Sequence, residues 1–232
     1  MKQYQISIII PILNEAETIK NLLHHLIDNS SKENVAEIIV VDGGSTDGSP
    51  KIVSDFPNIN LLISKKGRAK QMNIGAKAAK GNIFYFLHAD ACPPKHFDQL
   101  IINEVKKNNL AGCFRMQFDS KHWWLSLASW LTQFSWRVCR GGDQSQFITK
   151  QLFEDIGGFD ETYVIYEDNI LINELYSRNE FVVINKKIIT SARLYTKHGI
   201  WKLQYHFWTI YVKKWFGASP KELYNYYKKH IA

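Results

Sequence analysis

Between residues 5 and 90, short β-branched or aromatic runs alternate with stretches of helical periodicity, and no other feature constrains the fold as strongly. QISIIIPIL (5–13) is a β-branched run ended by Pro11, the signature of a buried strand. EIIVVD (37–42), NLLIS (60–64) and NIFYFLHAD (82–90) predict three more strands. Helical patterns lie between them. Ile19, Leu22, Leu23, Leu26 and Ile27 share one face, with Asn14 expected as N-cap and Glu17 as its capping-box partner. A second helix is expected from about residue 45, carrying Ile52, Val53 and Phe56. An Ala-rich third covers 68–80, with Gly81 expected to close it in the left-handed conformation. This alternation implies an α/β fold: a mostly parallel central sheet flanked by helices and joined by right-handed crossovers. Ligands of such sheets bind at the carboxyl ends of the strands.

The rhythm changes after Cys92. Pro93 and Pro94 precede a helix over about 95–108, and a strand follows over 111–118. WWLSLASWLTQFSW (123–136) is too short and too interrupted by polar residues to span a membrane, and reads as a buried or interfacial helix. Residues 141–161 read as loop, strand, short helix and a Gly-Gly stop. A helix opens at YEDNILINEL (166–175), and two short strands are expected at 181–185 and 188–190. The 232 residues hold no linker and no repeat, which suits one domain with an elaborated second half. Three scattered cysteines without a CxxC pair, and a start that runs straight into a strand, predict a reduced, cytoplasmic setting.

The formal net charge is +7, and the segment after residue 192 carries all of it, with eight Lys+Arg against one Glu. A neutral body with a basic tail argues against a nucleic-acid binder and for one localised anionic contact. In that tail Trp201, Tyr205, Trp208, Val212 and Trp215 fall on one helical face, with Lys202, Lys213 and Lys214 elsewhere. Two readings stay open: a helix lying at a membrane interface, or a helix packed on the domain with its lysines in water.

Acidic residues mark the strand ends. Asp42 stands before GGSTDGS, a turn whose backbone N–H groups can face a ligand, although an Asp there can also simply cap its own turn. Gly44, Thr46 and Asp47 at the third, fifth and sixth loop positions exclude an EF-hand, and neither GxGxxG nor a Walker A loop is present. Asp90 ends LHAD before a Pro-Pro break, where a carboxylate suits a hard divalent cation. His88 points to the same side as Asp90 if the strand continues that far, as a structural residue or as a ligand. Glu167 and Asp168 adjoin at a helix N-terminus, where carboxylates also complement the helix dipole.

IIIPILNE, VDGGSTDGS, GRAKQMNIGAKAAKGNIFYFLHAD, GGFDE and YED, in that order, resemble the family 2 glycosyltransferases of GT-A fold. The resemblance runs from about Ser7 to Ser177. HAD, DGGS, GDQ and SAR (191–193) resemble one bacterial subgroup of that family. It implies three regions: a nucleotide-sugar half (1–92), an acceptor and catalytic half (93–190), and a basic aromatic helical tail (191–232). It implies donor contacts from Pro11, Glu15, Asp42, Arg68, Asn73, His88, Ala89 and Asp90, with Arg68 meeting diphosphate charge and Lys70 a further candidate for it. Asp168 is implied as the base that deprotonates the acceptor hydroxyl, with Glu167 beside it. A divalent cation, manganese or magnesium, is implied at Asp90, with His88 and His198 as further candidate ligands.

Two departures from the pattern stand out. Gly43 and His88 occupy positions where the wider family usually has Asp. The loss of a carboxylate at residue 88 weakens an all-oxygen cage for magnesium and favours manganese, or direct help from a basic residue. The resemblance implies an inverting transfer from a nucleotide-diphosphate sugar, UDP-linked, to an acceptor hydroxyl. A lipid or lipid-linked acceptor, and a peripheral place on the inner face of the plasma membrane, go with the interfacial reading of the tail. A sugar-phosphate nucleotidyltransferase is disfavoured, because PILNEAET lacks the Gly-rich basic loop that activity needs after strand one. A degenerate, non-catalytic sugar-binding module is the other alternative, kept open by the altered HAD site.

Overall fold

The computed structural model describes residues 4–231. The first half follows the expected alternation: β1 (Ile6–Ile12), α1 (Ile19–Asn29), β2 (Val35–Asp42), α2 (Ser49–Ser54), β3 (Ile59–Ile63), α3 (Arg68–Ala78) and β4 (Ile83–Phe86). The second half holds β5 (Ala91–Cys92), α4 (Phe97–Lys106), β6 (Ala111–Phe118), α5 (Trp123–Leu131), β7 (Gln146–Thr149), α6 (Lys150–Ile156), α7 (Glu167–Ser177) and β8 (Val182–Thr190). Helices α8 (Arg193–His198), α9 (Ile200–Trp215) and α10 (Pro220–His230) complete it. All strands join one sheet in the order β3-β2-β1-β4-β7-β6-β8-β5. Strands β1 to β4 pair in parallel, as do β6 and β8, whereas β7 runs antiparallel to both its neighbours.

Strand β1 is buried along its whole length. Ile8 and Ile10 pack on one side with Leu22, Leu26 and Ile101 of α1 and α4. Ile9 packs on the other with Met72 of α3 and Phe84 of β4. A strand covered on both faces needs apolar residues at every position, which accounts for the unbroken isoleucine run. Helix α3 approaches this strand closely through Gly75, where a Cβ would come within 2.5 Å of Ile9 Cγ2.

Several local expectations are corrected. Asn14 does not cap α1: it adopts φ 57° and its side chain bonds across to the loop after β2, so the helix starts later, at Ile19 behind Thr18. No capping-box bond from Glu17 is made. The second helix starts at Ser49 and the fourth at Phe97. Gly81 is not left-handed. It is required by crowding instead, since a Cβ there would lie 2.7 Å from the Gln5 carbonyl oxygen. The two short strands expected after residue 180 are one strand, β8, whose register against β6 shifts between Phe114 and Arg115. Strand β4 stops at Phe86, and the chain turns at 88–91, where Ala91 N donates to His88 O at 3.2 Å. His88 and Asp90 therefore sit in a turn and not at alternate positions of a strand.

The tail packs on the domain through its own small core, in which Leu203, Ile210 and Leu223 meet Tyr163. No helix among the described residues is long and apolar enough to cross a membrane.

Candidate active site

The carboxyl ends of β1 and β2 carry two loops that are stitched together. Asn14 N donates to Ser45 Oγ at 2.8 Å, Glu15 N to Ser49 Oγ at 2.8 Å and Ala16 N to Asp47 Oδ2 at 2.9 Å. In return Thr46 N donates to Asn14 Oδ1 at 2.8 Å. The hydrogen bond from Ser49, together with the Ala16 N–H, holds the Asp47 carboxyl below its usual range. Asp42 is buried, and its carboxylate accepts from Gly44 N at 3.0 Å and Ser45 N at 3.1 Å. It thus caps its own turn while standing at the strand end. Behind this cradle, Gln71 of α3 donates to both Ile12 O (2.8 Å) and Val41 O (2.7 Å). Its amide fills the space beside Gly43, where a Cβ would meet Gln71 Oε1 at 2.9 Å. Any side chain at residue 43 would displace that amide.

A second group of residues converges from the turn after β4, from α3 and α7, and from the turn before β7. Asp168, at the start of α7, places Oδ2 3.7 Å from His88 Nε2 and 3.8 Å from Arg68 Nη1. No hydrogen bond or ion pair engages its Oδ1 among the described residues. The 3-10 turn Gly142–Gln144 lies directly against it, and a Cβ on Gly142 would fall 2.0 Å from Asp168 Oδ2. The same turn brings Asp143 Oδ1 within 3.7 Å of His88 Nδ1. Burial alone would lower the His88 pKa, but its contact with Asp143 and the charge of Asp168 outweigh burial and Arg68, so the ring is held above its ordinary value. Glu167 is 1% exposed, and neither of its oxygens makes a hydrogen bond. Arg68 Nη1 pairs with it at 3.3 Å. Burial, reinforced by Asp168 and opposed by Arg68, pushes its carboxyl up to about 7.

Arg193, at the start of α8, closes the remaining side. Its guanidinium grips Glu15 through both carboxylate oxygens, at 2.6 and 2.8 Å, and stands 3.4 Å from Asp90 Oδ2. The Asp90 carboxylate accepts no hydrogen bond. Burial raises its pKa, aided by Asp143 and Glu15, against His88 and Arg193.

The expected site residues are therefore placed unevenly. Arg68, His88, Glu167 and Asp168 form one cluster, and Glu15 joins Asp90 through Arg193. Pro11 and Ala89 are buried backbone-lining positions. Asn73 is tied elsewhere: it bonds the Phe159 N–H and carbonyl at 3.0 and 2.9 Å and so pins the GGF loop. His198 lies on the last turn of α8, with Nε2 buried and unbonded and its charge acting on His206 of α9. No group of three or more His, Cys, Asp or Glu among the described residues is arranged to hold a metal ion.

Sequence reasoning gave no role to Arg193, Asp143, Gly142 or Gln71. The SAR and GDQ motifs were the available signals for the first three. Arg140 had none. Its buried guanidinium donates to Thr132 O (2.6 Å), Phe134 O (2.7 Å) and Gln144 Oε1 (2.5 Å), and thereby fixes the turn that presents Asp143.

An open α/β sheet with acidic groups gathered at the carboxyl ends of its strands puts this cluster where sheets of that kind bind ligands. Residues 7–168 match the family described as Glycosyl transferase family 2, and the chain belongs to that family. Among relatives, it is 34% identical over 94 residues to Glycosyltransferase AglE of Haloferax volcanii, covering 38% of this chain and 31% of that protein. It is 28% identical over 120 residues to an undecaprenyl-phosphate 4-deoxy-4-formamido-L-arabinose transferase of Proteus mirabilis, covering 48% and 37%. The fold is similar to that of Staphylococcus aureus TarS 1–349 in complex with UDP-GlcNAc, with a TM-score of 0.65 at 20% identity, over 81% of this chain and 58% of that one. The chain spans less than half the length of these two sequence relatives.

Proposed function

We propose that the chain is an inverting glycosyltransferase that moves a sugar from a nucleotide-diphosphate donor to a hydroxyl of a lipid-linked acceptor, with Asp168 as general base. The observation that carries this reading is the asymmetry of the Asp168 carboxylate. Oδ2 is held between His88 and Arg68, and Oδ1 has no hydrogen-bond or ion-pair partner among the described residues. The held oxygen fixes the orientation of the group, and the free one takes the proton of the acceptor hydroxyl. That hydroxyl oxygen bonds to the anomeric carbon as the bond to the diphosphate oxygen breaks, so the configuration inverts. Such a base contributes on the order of 10²–10⁴-fold.

The departing diphosphate carries the negative charge away, and the Arg68 guanidinium stands 3.8 Å from the base, with the His88 ring at 3.7 Å adding positive charge when protonated. The cradle formed by Pro11, Glu15 and Asp42 would take the nucleoside. Asp90, whose Oδ2 stands 3.4 Å from Arg193, is the residue that would hold a divalent cation. His88 is less suited to join it, because both ring nitrogens face carboxylates. A bound cation would supply Lewis-acid stabilisation of the leaving group. The UDP-GlcNAc held by the similar S. aureus structure makes UDP the nucleotide to test first. The undecaprenyl phosphate in the P. mirabilis relative's name makes a lipid-linked acceptor the class to try first.

The test is calorimetric titration with UDP, with and without manganese, alongside UDP release from a panel of UDP-sugars. Asp168→Asn is expected to bind UDP as the wild type does and to release none from donor sugars. Normal release by that variant removes Asp168 from the role of base. Wild-type protein that binds UDP and turns over no donor favours the non-catalytic alternative.

A further inference from the structure

We infer that the outer face of α9, continued by α5, is a docking surface for an anionic phospholipid bilayer. The inference rests on the reading of a lipid-linked acceptor and says how that acceptor would reach Asp168. Helix α9 has two unlike faces. Its inner face buries Leu203 and Ile210 and reaches the start of α7: Tyr211 packs edge-on against Tyr166 at 5.2 Å, and Lys214 lies over the Tyr163 ring at 4.9 Å. Its outer face leaves Trp201, Tyr205, Trp208 and Trp215 in solvent, with Trp215 87% exposed, and Phe216 extends the row.

Helix α5 enlarges the same surface. The Trp124 ring lies 5.4 Å from Trp201 and 5.8 Å from Trp208, and the exposed Trp123 lies 5.8 Å from Trp201. Aromatic residues concentrated this way on a basic helix are the composition of a segment lying in the headgroup layer, with rings at the acyl boundary and lysines toward phosphate. Lys202 and Lys213 are exposed beside the row, and Lys221, Lys228 and Lys229 are exposed on α10. The whole formal net charge of +7 resides in this segment. A second copy of the chain is a poor occupant, since it would set the same positive charges against one another. An anionic leaflet complements both the rings and the charges.

The arrangement links the surface to the chemistry. The helix whose outer face would meet lipid is the one whose inner face touches Tyr166 and Asn169, the residues flanking Glu167 and Asp168. At least one helix diameter, ~10 Å, would therefore separate the membrane plane from the base.

The test is co-sedimentation of the full chain with phosphatidylcholine vesicles, with and without phosphatidylglycerol, at rising salt. UDP binding and sedimentation velocity are measured on the same preparation. Binding is expected only with phosphatidylglycerol and is expected to weaken with salt. Trp215→Ser combined with Phe216→Ser, both nearly free of contacts, is expected to lower the partition coefficient by about tenfold or more while leaving UDP binding unchanged. Absence of vesicle binding by protein that still binds UDP overturns the docking surface and leaves the transfer reading standing. Vesicle binding unaltered in the double variant also overturns it, as does a dimer that the double variant abolishes. Vesicle binding by protein that fails to bind UDP supports the surface and sinks the transfer reading.

Discussion

The two halves of the site are built to different tightness. Around the ends of β1 and β2, the loops are joined by hydrogen bonds of 2.8–2.9 Å from backbone N–H groups to side-chain oxygens. Around the start of α7, Arg68, His88, Glu167 and Asp168 meet only at 3.3–3.8 Å, and both Glu167 oxygens lack hydrogen bonds. The first half is saturated and preorganised. The second keeps its charges near one another without consuming them, the condition for a site that still has to take up a charged ligand. On the proposed reading, rigidity belongs to the nucleoside cradle and unsatisfied charge to the transfer step.

The sharpest way to break this comparison is at the free oxygen of Asp168. Asp168→Asn keeps the size of the group and removes its basicity, and donor turnover is expected to fall by about 10²–10⁴-fold with UDP affinity unchanged. A parallel loss of UDP affinity would mean that the charge cluster serves binding and not chemistry. Next comes Gly142→Ala. The new methyl must push aside the Asp168 carboxylate, which it would otherwise approach to 2.0 Å. A displacement of about 1 Å in such a group costs on the order of 10²-fold in rate. A fall in turnover at unchanged melting temperature is the expected result, and wild-type turnover would show that the turn gives way freely.

A pH measurement addresses the unsaturated half directly. The folded-state pKa of Glu167 is raised from 4.5 to about 7. Its contribution to stability is therefore full below the unfolded value and is lost as pH rises through the folded one. Glu167→Gln is expected to flatten the decline of melting temperature between pH 5 and 8, an effect bounded by about 3 kcal/mol from the linkage of one pKa unit to 1.36 kcal/mol. An identical pH profile in variant and wild type would show that Arg68 keeps Glu167 ionised throughout.

The smallest expected effect lies in the saturated half. Ser49→Ala removes an acceptor for Glu15 N and a donor to Asp47. It is expected to cost about 1 kcal/mol, or roughly 2–4 °C in melting temperature. A much larger loss would mean that the cradle and not the sheet limits stability.

Much of the fold could be read from the sequence because its signals are local. The isoleucine run of β1 and the spacing of Leu22, Leu23 and Leu26 specify a strand and a helix within a few residues of chain, and those elements formed where expected. Element ends were less legible. Asn14 carries the side chain of a helix cap, yet a partner 32 residues away, Thr46, claims it. Local propensity has no means of weighing that competition. The reading of Glu167 and Asp168 as neighbours at a helix start was local, and the helix begins at Glu167.

Legible in the sequence alone were the order of strands and helices from β1 to β4, the acidic strand ends, and the aromatic and basic character of the tail. Each follows from side-chain type and spacing along a single element. Only the tertiary structure decided which charges meet. Arg193 grips Glu15 across 178 residues of sequence, and His88 is set between Asp143 and Asp168 by a turn that the buried Arg140 holds in place. It also decided that the α9 tryptophans face outward, because Leu203 and Ile210 occupy the inner face. The physical reason is the same in each case. Electrostatic and packing contacts act through space at a few ångströms, and only the folded sheet brings residues so distant in the chain within that range.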